Sequence, residues 1–110
     1  MGMGNESPFL AMQRAETSIK ALLRVVDMDL LTPDEKKALG SLKRLSSDAR
    51  MDIRDYELSE TREEQLAKAS DAKRRLAKLK ANLLGSGMVF GAADIAQLDA
   101  QLDHIMNGIV

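Results

Sequence analysis

The 110-residue sequence predicts an all-α protein: a small bundle of three or four antiparallel helices. Three observations carry that expectation. Apolar residues recur at three- and four-residue steps through most of the chain, and no stretch alternates apolar and polar residues as a half-buried strand does. Both prolines, Pro8 and Pro33, follow a Ser or Thr, the pairing of an N-cap residue with the first helical position. Hydrophobic content is 45% while aromatic content is 3%, so Leu, Ile, Val, Met and Ala must fill the core.

In chain order, Ser7-Pro8 opens a first helix expected over 8–31, with Phe9, Met12, Ile19, Leu23, Val26 and Leu30 on its apolar stripe. Leu22 and Val25 widen that stripe, and Glu16 is its one polar interruption. Thr32-Pro33-Asp34-Glu35 then reads as a capping box, so the second helix starts where the first stops. It buries Leu39, Leu42, Leu45, Ala49, Ile53 and Tyr56. Around 57–64 two readings stand. Either Ser59 or Thr61 caps a new helix, with Thr61 and Glu64 as a second capping box, or one rod runs from Pro33 to Leu84. The stripes before and after this stretch do not share one helical phase, which favours a break or bend.

Leu66, Ala69, Ala72, Leu76, Leu79 and Leu83 form the next stripe, which Gly85-Ser86-Gly87 ends with residues suited to positive φ. Gly91 then caps a last helix over Ala92–Asn107. Phe90 and Ile95 stand at the positions of a hydrophobic staple, and Ile95, Leu98, Leu102, Ile105 and Ile109 continue the spacing. The expected organisation is one domain over 8–110, alone or paired with a second copy through helix contacts, behind a disordered or tag-like tail over 1–7.

The composition removes several function classes. With no cysteine there are no disulfides, thiolate zinc sites or cysteine nucleophiles. A formal net charge of −1 is not the basic balance of a dedicated nucleic-acid binder. No apolar run reaches the length of a membrane span and no basic-then-apolar leader opens the chain, so a cytoplasmic protein with no membrane partner is expected. No His or carboxylate pair has metal-ligand spacing, and Gly85-Ser86-Gly87 lacks the Lys-Ser/Thr of a phosphate loop, so no metal or cofactor is expected. His104 is the single histidine, and its sequence neighbour Asp103 points to another helix face. Asp99 and Asp103, one turn apart, can share a cation with Asn107. No catalytic residue is assigned and no enzyme is expected.

The segment Lys68–Lys80 is the one concentration of positive charge, with Lys68, Lys73, Arg74, Arg75, Lys78 and Lys80 in thirteen positions. At about 100° per residue these six cations scatter around the helix instead of lining one strip. Glu64–Lys68 and Asp71–Arg75 have the favourable i,i+4 spacing, and no aromatic residue stands nearby to stack on a base. Between the charges, Ala67, Ser70, Ala77 and Ala81 form a second face of small side chains suited to close approach of another helix. Met88, Val89, Phe90 and Ile109 are apolar residues outside helix interiors that either plug the bundle ends or form a patch for a partner. The function expected from these features is protein–protein interaction, as a small adaptor, regulator or chaperone-like partner that contacts another protein or itself through Met88, Val89, Phe90, Ile109, Ala67, Ser70, Ala77 and Ala81. The alternative is a nucleic-acid-associated factor using Lys68, Arg74, Arg75 and Lys78. A helical enzyme or phosphotransfer module would rest on His104.

Overall fold

The computed structural model describes residues 6–86 and 89–109 and shows a four-helix bundle. The α-helices are α1 (Pro8–Arg24), α2 (Pro33–Glu57), α3 (Arg62–Leu84) and α4 (Ala92–Asn107), with one 3-10 turn, Met28–Leu30, between α1 and α2. Each helix packs on the next in sequence, and α4 closes the ring against α1. Every joint reverses the chain. Phe9 N–H donates to the Glu57 carboxylate while Glu16 meets Ser47, so α1 and α2 run antiparallel. At 25 and 23 residues, α2 and α3 are about 37 and 35 Å long and form the spine of a flattened molecule of 48 × 30 × 17 Å.

The caps show why the helices begin where they do. Ser7 Oγ accepts the Leu10 N–H, and Glu6 reaches Arg14 at 2.8 Å, so these two residues of the expected tail belong to the start of α1. Thr32 and Glu35 form the full reciprocal capping box. At the α2–α3 joint Thr61 accepts the Glu64 N–H, the first half of such a box. The chain therefore breaks over 58–61, and α2 and α3 are two helices and not one rod. Replacing Thr32 with Ala removes the bond that its hydroxyl accepts from the Glu35 N–H and leaves the return bond from the residue-32 backbone N–H to the Glu35 carboxylate unsupported. It is expected to destabilise the protein by about 1 kcal/mol, with Thr61→Ala, which has no return bond to loosen, costing less. Urea midpoints of the two variants check the order.

The core is aliphatic. Met12, Ala15 and Ile19 of α1 face Leu39, Leu42, Ala49, Ile53 and Tyr56 of α2. Ala69, Ala72, Leu76, Leu79 and Leu83 of α3 meet Ile95, Leu98, Leu102 and Ile105 of α4. Phe90 and Ile95 are both buried, as a staple at the entry to α4 requires.

Three expectations are corrected. The first helix ends at Arg24 and not near Leu31. Val25 and Val26 leave the helix, and Asp27 then caps a separate turn by accepting the Asp29 N–H. Leu66, expected to start the α3 stripe in the core, is 47% exposed. The Lys80 pairings across to Asp99 and Asp103 set the register in which α4 lies along the C-terminal half of α3. Finally, no glycine among the described residues has positive φ, and Gly85 is in the right-handed region. The α3 end is satisfied instead by Ser86, which is buried and donates its hydroxyl to the Asn82 carbonyl.

Candidate functional site

The α1–α2 connector and the α3–α4 connector lie at the same end of the bundle, because α1 and α3 both finish there and α2 and α4 both begin there. Between them runs an open groove lined by Leu22, Val25, Val26, Leu30, Leu31, Val89 and Phe90. Phe90 is 6% exposed and belongs to the core, whereas Val25 and Leu30 are 81% and 82% exposed. Single exposed aliphatic residues are ordinary on a protein surface, but several lining one concavity make a contact surface. The early end of α1 creates this feature. Had the helix run to Leu31, Val26 and Leu30 would have joined its buried stripe.

Asp27, Glu35 and Asp94 also line the groove. Asp27 holds the 3-10 turn and Glu35 closes the capping box, while Asp94 stands in the first turn of α4.

The structure disperses the other sequence-derived candidates. Ile109 is buried at 3% exposure, so it plugs the opposite end of the bundle together with the core. Val89 is half-buried on the groove, and Met88 lies outside the described residues. Ala67, Ser70, Ala77 and Ala81 are all exposed on α3, and no described element covers them.

Three of the six cations between Lys68 and Lys80 are paired. Arg75 reaches across to α2, with Nε 3.1 Å from Asp52 and Nη1 3.4 Å from Asp48. Asp71 pairs with Arg74 one turn away and not with Arg75 as the spacing suggested, because the α2 carboxylates capture Arg75. Lys80 lies between Asp99 and Asp103 of α4. The cation shared by those two acids is therefore the chain's own ammonium. Lys68, Lys73 and Lys78 have no ion pair among the described residues, so the expected Glu64–Lys68 pair does not form. A shallow cleft of Arg74, Arg75 and Lys78 remains, but Asp52 and Asp71 share its lining.

The Lys80 ammonium is held above its ordinary value of 10.5 chiefly by the hydrogen bond to Asp103; burial opposes this as the next largest effect, and the charges of Asp99 and Asp103 add to the rise. A raised lysine pKa stabilises the fold fully at pH values below 10.5 and loses that contribution as the pH rises through the folded-state value. Lys80→Met is accordingly expected to lower the melting temperature at neutral pH. The gap to wild type should narrow once the pH passes 10.5. Melting curves of both proteins across the alkaline range test this.

His104 is exposed beside Glu6, Pro8, Ala11 and Asn107, and its ring makes no hydrogen bond or ion pair among the described residues. Asp103 turns away from it to Lys80. Among the described residues no group of three or more His, Cys, Asp or Glu is placed to hold a metal ion, and no helix is long and apolar enough to cross a membrane.

Sequence reasoning missed Val25 and Leu30 as exposed residues, since three/four spacing carried the helix through them. The available signal was Val25-Val26-Asp27: two β-branched residues followed by a residue that caps well. The chain matches no protein-family model, no curated protein and no solved structure, so its function rests on its own geometry.

Proposed function

We propose that this chain is a protein-interaction module that works by binding in the cytoplasm, without catalysis, and that its contact surface is the groove between the two connectors. The observation that supports this reading is that Val25 and Leu30, the two most exposed large apolar side chains among the described residues, share one concavity with Leu22, Val26, Leu31 and Phe90. Apolar grooves are a recurrent mode of partner recognition. Of the four cations of the nucleic-acid alternative, Arg74 and Arg75 are engaged by acids on the same chain, which leaves it Lys68 and Lys78. The α3 face of Ala67, Ser70, Ala77 and Ala81 provides no large apolar anchor, although it admits close approach.

The test is capture of partners from native lysate by the wild-type chain and by two variants, Val25→Asp with Leu30→Asp, and Ala77→Asp with Ala81→Asp. The groove reading expects the first pair to lose the captured protein and the second to keep it, with weak dependence on salt. Loss only with the α3 variant contradicts the groove. Capture of nucleic acid that falls steeply with salt supports the alternative.

A further inference from the structure

The groove has a charge pattern that its apolar floor does not require. Asp27, Glu35 and Asp94 line it and no Lys, Arg or His does, in a chain of formal net charge −1. None of these carboxylates has an ion-pair partner among the described residues. The α2 and α4 N-termini offset them by about half a charge each, which leaves the rim negative.

The geometry points to the occupant: a short amphipathic helical segment of another protein, with aliphatic or aromatic anchors on one face and Lys or Arg flanking them. This inference rests on the groove being the interaction surface. The anchors would cover Val25 and Leu30 and reach the floor formed by Leu22, Val26 and Phe90, while the flanking cations meet Asp27 and Asp94, both exposed. Complementary charge of this kind mainly sets partner choice and encounter rate.

A second copy of the chain fits poorly. A two-fold dimer through the groove would place each acidic rim against itself. Head-to-tail docking would bring in the α2–α3 joint, whose exposed Leu58 and Leu66 are apolar enough to serve as anchors. That joint, however, carries Asp55, Glu57, Glu60, Glu63 and Glu64 against only Arg54, Arg62 and Lys68. Acid would again meet acid.

The experiment uses two fluorescent synthetic helical peptides with the same Leu/Phe face, one with Lys and Arg on its polar face and one with Glu there. Anisotropy titrations with the full chain measure affinity, and amide chemical shifts map the site. The basic peptide is expected to bind at least about ten-fold tighter, a difference of ~1.4 kcal/mol, and to shift resonances within 22–35 and 89–95. Asp27→Asn with Asp94→Asn, where Asn still caps well, is expected to abolish the preference. Asp27→Lys with Asp94→Lys is expected to reverse it. Far-UV circular dichroism confirms that each variant folds.

Equal binding of both peptides in the groove overturns the charge argument and leaves the interaction surface standing. Binding of the basic peptide on α3 or at the α2–α3 joint overturns the inference. So does dimerisation that Leu30→Asp abolishes, because a second copy is then the occupant. If neither peptide shifts a groove resonance, this inference fails, and the proposed function then stands or falls on the lysate capture.

Discussion

Replacing Glu16 with alanine is expected to lower the unfolding free energy by about 2–3 kcal/mol, near the lower end of the cost of breaking a buried ion pair. Glu16 sits in the α1–α2 interface at 6% exposure. Its carboxylate accepts the Ser47 hydroxyl at 2.8 Å, meets Arg50 Nε at 2.8 Å and lies 3.7 Å from Lys20. The Arg50 contact is an ion pair whose N–H is not aligned on the oxygen, since Arg50 Nε makes no hydrogen bond of good geometry. Removing the carboxylate leaves Ser47 without its acceptor and strands the Arg50 charge, which is only 29% exposed. Solvent at Arg50 and Lys20 keeps the cost below that of a fully dry pair.

Two companions separate the causes. Glu16→Gln retains an acceptor for Ser47 and should cost less than Glu16→Ala. Glu16→Leu combined with Arg50→Leu removes both charges and should recover most of the loss, because the apolar stripe on either side, Met12 and Ile19, already faces the core. Urea unfolding of the four proteins, with the slope unchanged, measures each step. A Glu16→Ala midpoint equal to wild type would show that the network contributes nothing.

The second large effect concerns binding and not stability. Val25→Asp with Leu30→Asp should leave the unfolding midpoint almost unchanged, since both side chains are more than 80% exposed and exposed substitutions usually stay within about 0.5 kcal/mol. Partner affinity should fall by about two to three orders of magnitude. Truncating a central anchor typically costs about 2 kcal/mol, each 1.4 kcal/mol is about ten-fold, and the new carboxylates would have to lose their water beneath the partner's apolar anchors. Isothermal titration calorimetry against a captured partner reads the change. Loss of affinity together with loss of fold would identify these residues as structural and not as contacts.

The parts of this fold that were legible in the sequence are those set by local chemistry. Thr32, Pro33 and Glu35 define a helix start through bonds between residues three apart, and Gly91 with Phe90 and Ile95 places α4 at Ala92–Asn107. The aliphatic stripes of α2 and α4 face inward because helical periodicity and burial agree there. What sequence reasoning could not supply depends on partners distant in the chain. Arg75 looked like the i,i+4 partner of Asp71 until α2 brought Asp48 and Asp52 alongside it. Glu16 looked like an interruption in a stripe, and only the packing of α2 shows the Ser47 hydroxyl that donates to it and the Arg50 charge that balances it.

The candidate site was less legible than the fold for a related reason. Val25, Val26 and Leu30 continue the spacing of α1, so periodicity alone assigns them to the core. The capping preference of Asp27 wins over that spacing, ends the helix register and turns Val25 and Leu30 outward. Phe90 and Ile109 take the other of the two places open to them, buried at opposite ends of the bundle, and Phe90 also borders the groove.

The central claim is that this chain meets its partner through the connector groove. A photoreactive benzophenone amino acid placed at position 30, at position 77 or at position 104, followed by illumination in native lysate, tests it most directly. The account expects a crosslinked polypeptide from position 30 that is absent from positions 77 and 104 and is competed by excess unlabelled wild-type chain. A crosslink from position 77 or 104 with none from position 30 would contradict it.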